Sequence, residues 1–313
     1  MSEQQAANHT RKKALWRTIF LLATRLVRQV IRLIAAEVDW SQYSHLGTLG
    51  LDEIALRKGH RDFVVIVTAR LADGQVVLLG VLADRRKETV AKFLRSIPAR
   101  LKSTVHTACC DMYEGDLEAL HEELPQAKVV IDRFHVAKTY REDLDTLRKS
   151  ELKRLKAQLS KSEYEPLKGS LWAVRKRRED LNEAQIQTLN LLLGYSPELK
   201  AAYALREELT AIFDAPISKG MAQTRLRTWI DQVVAIGVKC FDDFIKTLNR
   251  LWEPITNYFI ARRNSAFVEG LNNRIKVLKR RCDGLFNLKH FFQRLYLDLN
   301  GYRLFSIRPP YVA

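Results

Sequence analysis

The order of elements between Gly47 and Asp132 constrains this chain more than any other feature. GTLGLDEIAL, DFVVIVTARL and QVVLLGVLAD read as three strands, the last two joined by the turn Ala72, Asp73, Gly74. Strands joined this closely predict an antiparallel meander. A helix, ETVAKFLRSI, stops near Pro98. An apolar strand, TVHTACCD, a helix, MYEGDLEALHEEL, ended by Pro125, and another apolar strand, AKVVID, come next. Three strands followed by helix, strand, helix and strand predict an α/β fold, a mixed sheet flanked by helices. The same order sets Asp52 near the end of the first strand, Asp111 at the end of the fourth and Asp132 at the end of the fifth. Carboxylates at strand ends project into the crevice where α/β sheets place their chemistry.

From Phe134 to about Phe259 the strand signal gives way to helices: YREDLDTLRKSELKRLKAQL, SLWAVRKRRE, NEAQIQTLNLLL, PELKAAYALREELTAIF and TRLRTWIDQVVAI. Asn182 and Gln185 form a capping box. Residues 11 to 37 read as one or two basic amphipathic helices. Near the end, NSAFVEGLNNRIKVLKRR places Val268, Leu271, Ile275 and Leu278 at the spacing that buries one helical face. Glu269, Asn273, Lys276 and Arg280 form a second stripe beside it. A last helix, LKHFFQRLYLDL, precedes the tail.

Charge narrows the partners. The 52 Lys plus Arg against 36 Asp plus Glu leave a formal +16 and a pI near 9.8, spread along the whole chain. Such a balance favours polyanions, nucleic acid before a membrane surface. No apolar run approaches the ~20 residues that span a bilayer, and a cytoplasmic location is expected. The four cysteines lack zinc-site spacing, which fits reduced, buried thiols.

Asp52, Asp111 and Glu269 are the candidate metal ligands. Two magnesium ions ~3.5–4 Å apart activate a water or hydroxyl and stabilise the leaving oxygen of a phosphodiester, and each needs only one or two protein carboxylates. Each acid alone has a plainer reading, a turn or cap for the aspartates and a helix-dipole partner for the glutamate. Asp132 is a carboxylate supporting the site, a DNA-positioning group or a strand-end cap. His135 either orients Asp132 or is a satisfied, half-buried histidine. Lys58 and His60 either meet phosphate or belong to a polar turn. Lys276, Lys279, Arg280 and Arg281 extend the Glu269 segment as a phosphate track, with Asn273 beside them. Arg175, Lys176, Arg177 and Arg178 form a second basic patch, DNA-facing or merely solvated. Trp172 beside it reads as a core residue or as a platform for an unpaired base.

Four motifs in order, LGLDEIALRKGH (49 to 60), CDMYEG (110 to 115), VVIDRFHVAK (129 to 138) and NSAFVEGLNNRIKVLKRR (264 to 281), resemble the DDE transposases of bacterial insertion sequences, the ISL-three group. The resemblance runs from about Leu49 to Phe305. It implies a ribonuclease H-like, retroviral-integrase-like core with a long all-helical insertion before its final glutamate, and a triad of Asp52, Asp111 and Glu269. On that reading residues 1 to 46 are a basic helical segment, 47 to 139 the first part of the core, 140 to 255 the insertion, and 256 to 313 the completion of the core. It further implies two Mg2+ ions with Mn2+ as substitute, DNA at element ends and target as partner, and a homo-oligomer on paired ends. The reaction implied is cleavage at the element ends followed by strand transfer. A truncated, non-catalytic DNA-binding regulator and a ribonuclease H-like nuclease without strand transfer are the alternatives, because the zinc-binding and helix-turn-helix segments usual in the family find no match in residues 1 to 46. Asp116 and Asp283 are acids where aromatic residues are expected.

Overall fold

A computed structural model describes residues 37–55, 63–261 and 287–305, together with Gln29, Ile275 and Val277. The strands are β1 (Gly47–Ala55), β2 (Phe63–Arg70), β3 (Val76–Leu82), β4 (Val105–Cys110) and β5 (Lys128–Ile131). They form one sheet in the order β3-β2-β1-β4-β5. β1, β2 and β3 pair antiparallel and β4 pairs parallel with β5, so the sheet is mixed and the order is ribonuclease H-like. The β2–β3 turn uses Gly74 at φ 83, while the Asp73 carboxylate accepts from the Gln75 amide at 2.9 Å. A left-handed residue there calls for glycine. The expected basic helices of residues 11 to 37 lie almost entirely outside the described residues.

The chain divides into two compact units, one of Met1–His106, Glu122–Leu124 and Phe267–Ala313, the other of Thr107–His121 and Pro125–Ala266. In the first, α1 (Lys87–Ser96) buries Val90, Ala91 and Leu94. A Cβ at Gly80 of β3 would stand 2.6 Å from the Phe93 ring, so glycine is what lets α1 close on that strand. The meander's other cluster joins Ile54, Val64, Ile66 and Leu78 to Ile275, Phe291, Phe292 and Leu295. These last three belong to the C-terminal helix Leu288–Phe305.

The second unit begins with most of β4 and continues through α2 (Glu114–Glu123), β5 and a bundle: α3 (Arg133–Gln158), α4 (Ser170–Arg175), α5 (Glu183–Tyr195), α6 (Pro197–Asp214), α7 (Lys219–Ile236) and α8 (Asp242–Arg250). Its core holds Trp229, whose indole donates to the Leu205 carbonyl at 2.8 Å and whose ring meets Phe241 and Phe244. Tyr140 and Thr210 join α3 to α6 at 3.1 Å. Asn257 donates to the Val129 carbonyl at 2.9 Å and ties the end of the helical run to β5. The expected box at Asn182 is present with both hydrogen bonds made. The helix expected over SLWAVRKRRE instead stops at Arg175, and Lys176 and Arg177 are extended.

Candidate active site

Asp52 is the sixth of nine residues in β1, opposite Ile66, in the second half of the strand. It is half-buried, and its Oδ1 accepts from the Glu53 amide at 2.7 Å. Side chains alternate along a strand, so Asp52 shares its face with Ile54, and Glu53 takes the other. Glu53 is ion-paired with Arg85 at 3.3 Å. Ile54 and Ile66 flank Asp52 on its own face, and Ile275, with no exposed surface, packs in their cluster. Ile275 and Val277 are helical, the former buried and the latter exposed. The segment expected to lay its apolar stripe on the sheet therefore does so at Ile275, on the Asp52 side, six positions after Glu269. Glu269, Asn273, Lys276, Lys279, Arg280, Arg281 and Asp283 lie outside the described residues, as do Lys58 and His60.

In the second unit, the register of the parallel pair aligns Cys110 with Ile131, so the next residues, Asp111 and Asp132, leave adjacent strand ends together. The Asp132 amide donates to the Cys110 carbonyl at 2.9 Å and extends that pairing. Asp111 is half-buried and its Oδ1 accepts from the Tyr113 amide at 2.7 Å, a local turn that fixes the carboxylate. Asp132 is buried and caps α3, accepting from the Phe134 amide at 3.0 Å. A cap fixes a carboxylate at a helix N-terminus, where the dipole favours its charge. Asp116, in the first turn of α2, is buried too. Burial pushes the Cys110 thiol far above its ordinary range, and the negative charges of Asp116, Asp111 and Asp132 push it further. Three carboxylates thus surround one strand end. Sequence spacing gave no sign of Asp116 as a buried member of this group.

His135 is half-buried and its ring stands edge-on to the exposed Phe134 ring, with centroids 5.5 Å apart. The basic patch is built into the bundle: Arg175 reaches Asp145 at 3.2 Å, Lys176 reaches Gln185 at 3.3 Å and Arg177 reaches Asp214 at 2.9 Å. Arg178 is exposed. Trp172 is 58% exposed, which removes the core reading. Ser170, Ala173 and Val174 make the buried face of α4, and position 172 lies opposite that stripe.

Hard oxygen donors suit Mg2+; half-buried Asp52 in the first unit and half-buried Asp111 in the second each carry a carboxylate of that kind. Among the described residues no group of three or more His, Cys, Asp or Glu gathers as a metal site. Also among them, no helix is long and apolar enough to cross a membrane.

A mixed ribonuclease H-like sheet with acids at its strand ends defines a class that comparison with known proteins narrows. Residues 49–295 match the ISL3-type DDE family, described as transposase, and the chain belongs to that family. It is 30% identical over 292 residues to the transposase for insertion sequence element IS1001 of Bordetella parapertussis, across 91% of this chain and 67% of that protein. It is 23% identical over 307 residues to the transposase for insertion sequence element IS1557 of Mycobacterium tuberculosis (strain CDC 1551 / Oshkosh), across 92% of this chain and 66% of that one. The chain spans about two-thirds of the length of these curated relatives. Among solved structures, the Drosophila P element transposase strand transfer complex is similar at 13% identity and a TM-score of 0.38, covering 87% of this chain and 80% of that one.

Proposed function

We propose that the chain is the DNA-cutting and strand-joining transposase of an insertion sequence, with Asp52, Asp111 and Glu269 as its catalytic triad. The observation that carries the reading is the packing of Ile275, six positions after Glu269 in the sequence, in the cluster on the sheet face that bears Asp52. The family match supports it, and so does the strand-end position of Asp111. The three carboxylates would hold two Mg2+ ions, with Mn2+ as substitute. When bound, such ions activate a water or a 3′ hydroxyl and neutralise the charge on the leaving oxygen. Asp52 would be the carboxylate shared by the ions, with Asp111 and Glu269 as their further ligands. Asp132 holds the start of α3 beside Asp111 and acts as a positioning residue. Lys276, Lys279, Arg280 and Arg281 receive DNA phosphates. The chain works in the cytoplasm as a homo-oligomer on paired element ends.

The test uses a plasmid carrying the DNA that flanks the gene. Asp52→Asn and Asp111→Asn are expected to abolish Mg2+-dependent nicking and strand transfer while binding to the same DNA stays unchanged. Undiminished cleavage by either variant removes that residue from the triad. Cleavage without joined products by the unaltered protein turns the reading into that of a nuclease.

A further inference from the structure

We infer that the outer face of α4 and the turn after it form a docking surface for unpaired DNA, with Trp172 stacking on a base and the cations of residues 175 to 178 holding the flanking phosphates. The inference rests on the transposase reading for the identity of its nucleic acid, but its geometry lies wholly within the helical unit. α4 buries Ser170, Ala173 and Val174 and leaves the indole of Trp172 58% exposed. A large flat apolar ring kept in water on a six-residue helix contributes little to folding. It does offer a face on which any unstacked base can lie.

The turn beside it is held rigid. Arg206 has no exposed surface, and its Nη2 donates to the carbonyls of Val174 at 2.7 Å and Lys176 at 3.1 Å, while its guanidinium lies 4.7 Å from the Tyr203 ring centre. It thus pins the last turn of α4 and the start of the basic run. The cations are seated on too little negative charge to neutralise them. Buried Asp145 is shared by Arg148 at 2.8 Å, Lys149 at 3.0 Å and Arg175 at 3.2 Å. Asp214 is shared by Arg133 and Arg177. Two carboxylates serve five cations, and Lys176 and Arg178 add to the surplus. Exposed Glu179 and Asp180 offset part of it, Glu179 lying 3.4 Å from Arg177.

Cations alone would hold duplex and single strand alike. Base faces in a duplex are already stacked on one another, so the indole adds affinity only where a base is splayed out. Preference for unpaired DNA is therefore the signature of this surface, and Trp172 is its cause.

Binding of the full chain to a labelled single-stranded oligonucleotide is compared with binding to the same sequence as duplex. Trp172→Ala is expected to lose about ten-fold in single-strand affinity and leave duplex affinity unchanged. Trp172→Phe should recover most of the loss. Arg178→Ala should weaken both forms and flatten the salt dependence. Unchanged single-strand affinity in Trp172→Ala, an equal loss on both DNAs, or a change of oligomeric state that accounts for the loss overturns the surface. Triad-dependent cleavage with an indifferent Trp172→Ala removes this surface and spares the transposase reading. Loss of single-strand binding in a protein whose cleavage ignores Asp52 does the reverse.

Discussion

Asp143 on α3 carries a charge that its burial makes costly. Burial, together with the nearby charges of Asp243 and Glu142, raises its carboxyl to about 6; Cys240, half-buried beside it, is pushed up to about 12. A carboxyl with a folded pKa above its unfolded ~3.9 binds protons more readily folded than unfolded. Its contribution to stability is whole below the unfolded value and is lost as pH rises through about 6. The difference in melting temperature between the parent protein and Asp143→Asn is therefore expected to shift in favour of the variant from about pH 4 to 6 and then level off. A difference that stays flat across that range would remove Asp143 as the source. Nothing in the sequence marks Asp143 among the acids of EDLDTL, because its environment is made by Asp243, a hundred residues later. Asp111 is legible for the opposite reason: it closes an apolar run, TVHTACC, that already fixes where it lies. Trp172 is misread as core because its neighbours are apolar, yet only positions 170, 173 and 174 face inward.

At the level of elements, local rules predict what local bonds make. The capping box of α5 follows from Asn182 and Gln185, and Asn182→Ala is expected to cost about 1 kcal/mol. Urea unfolding checks it, with the midpoint falling at constant slope. The meander, its Asp73-Gly74 turn and the two apolar strands are legible for the same reason. The end of α4 is not. RKRR has helix-forming residues, and what stops the helix is Arg206 drawing the carbonyls of Val174 and Lys176 from thirty residues away. Asp132 shows the two levels meeting, since it ends β5 and caps α3 at once.

For the whole molecule, a formal +16 makes DNA affinity a function of salt. If six or more phosphates are contacted, affinity is expected to fall about 10³-fold or more between 50 and 200 mM salt. A titration that shows a shallow slope would confine the contacts to a few cations. The division of the chain has a different consequence. Apart from Glu122–Leu124, the first unit is interrupted after His106 until Phe267, and its sheet cluster is closed by Phe291, Phe292 and Leu295. A ribosome elongating at about 5–20 residues per second therefore exposes Ile54, Val64, Ile66 and Leu78 for roughly 10–40 seconds before their cover is made. The helical unit has time to mature on the nascent chain first. The unit that bears Asp52 is begun before it and finished after it, so each newly made copy passes through a stage with a bare apolar sheet, in need of a chaperone or of prompt completion.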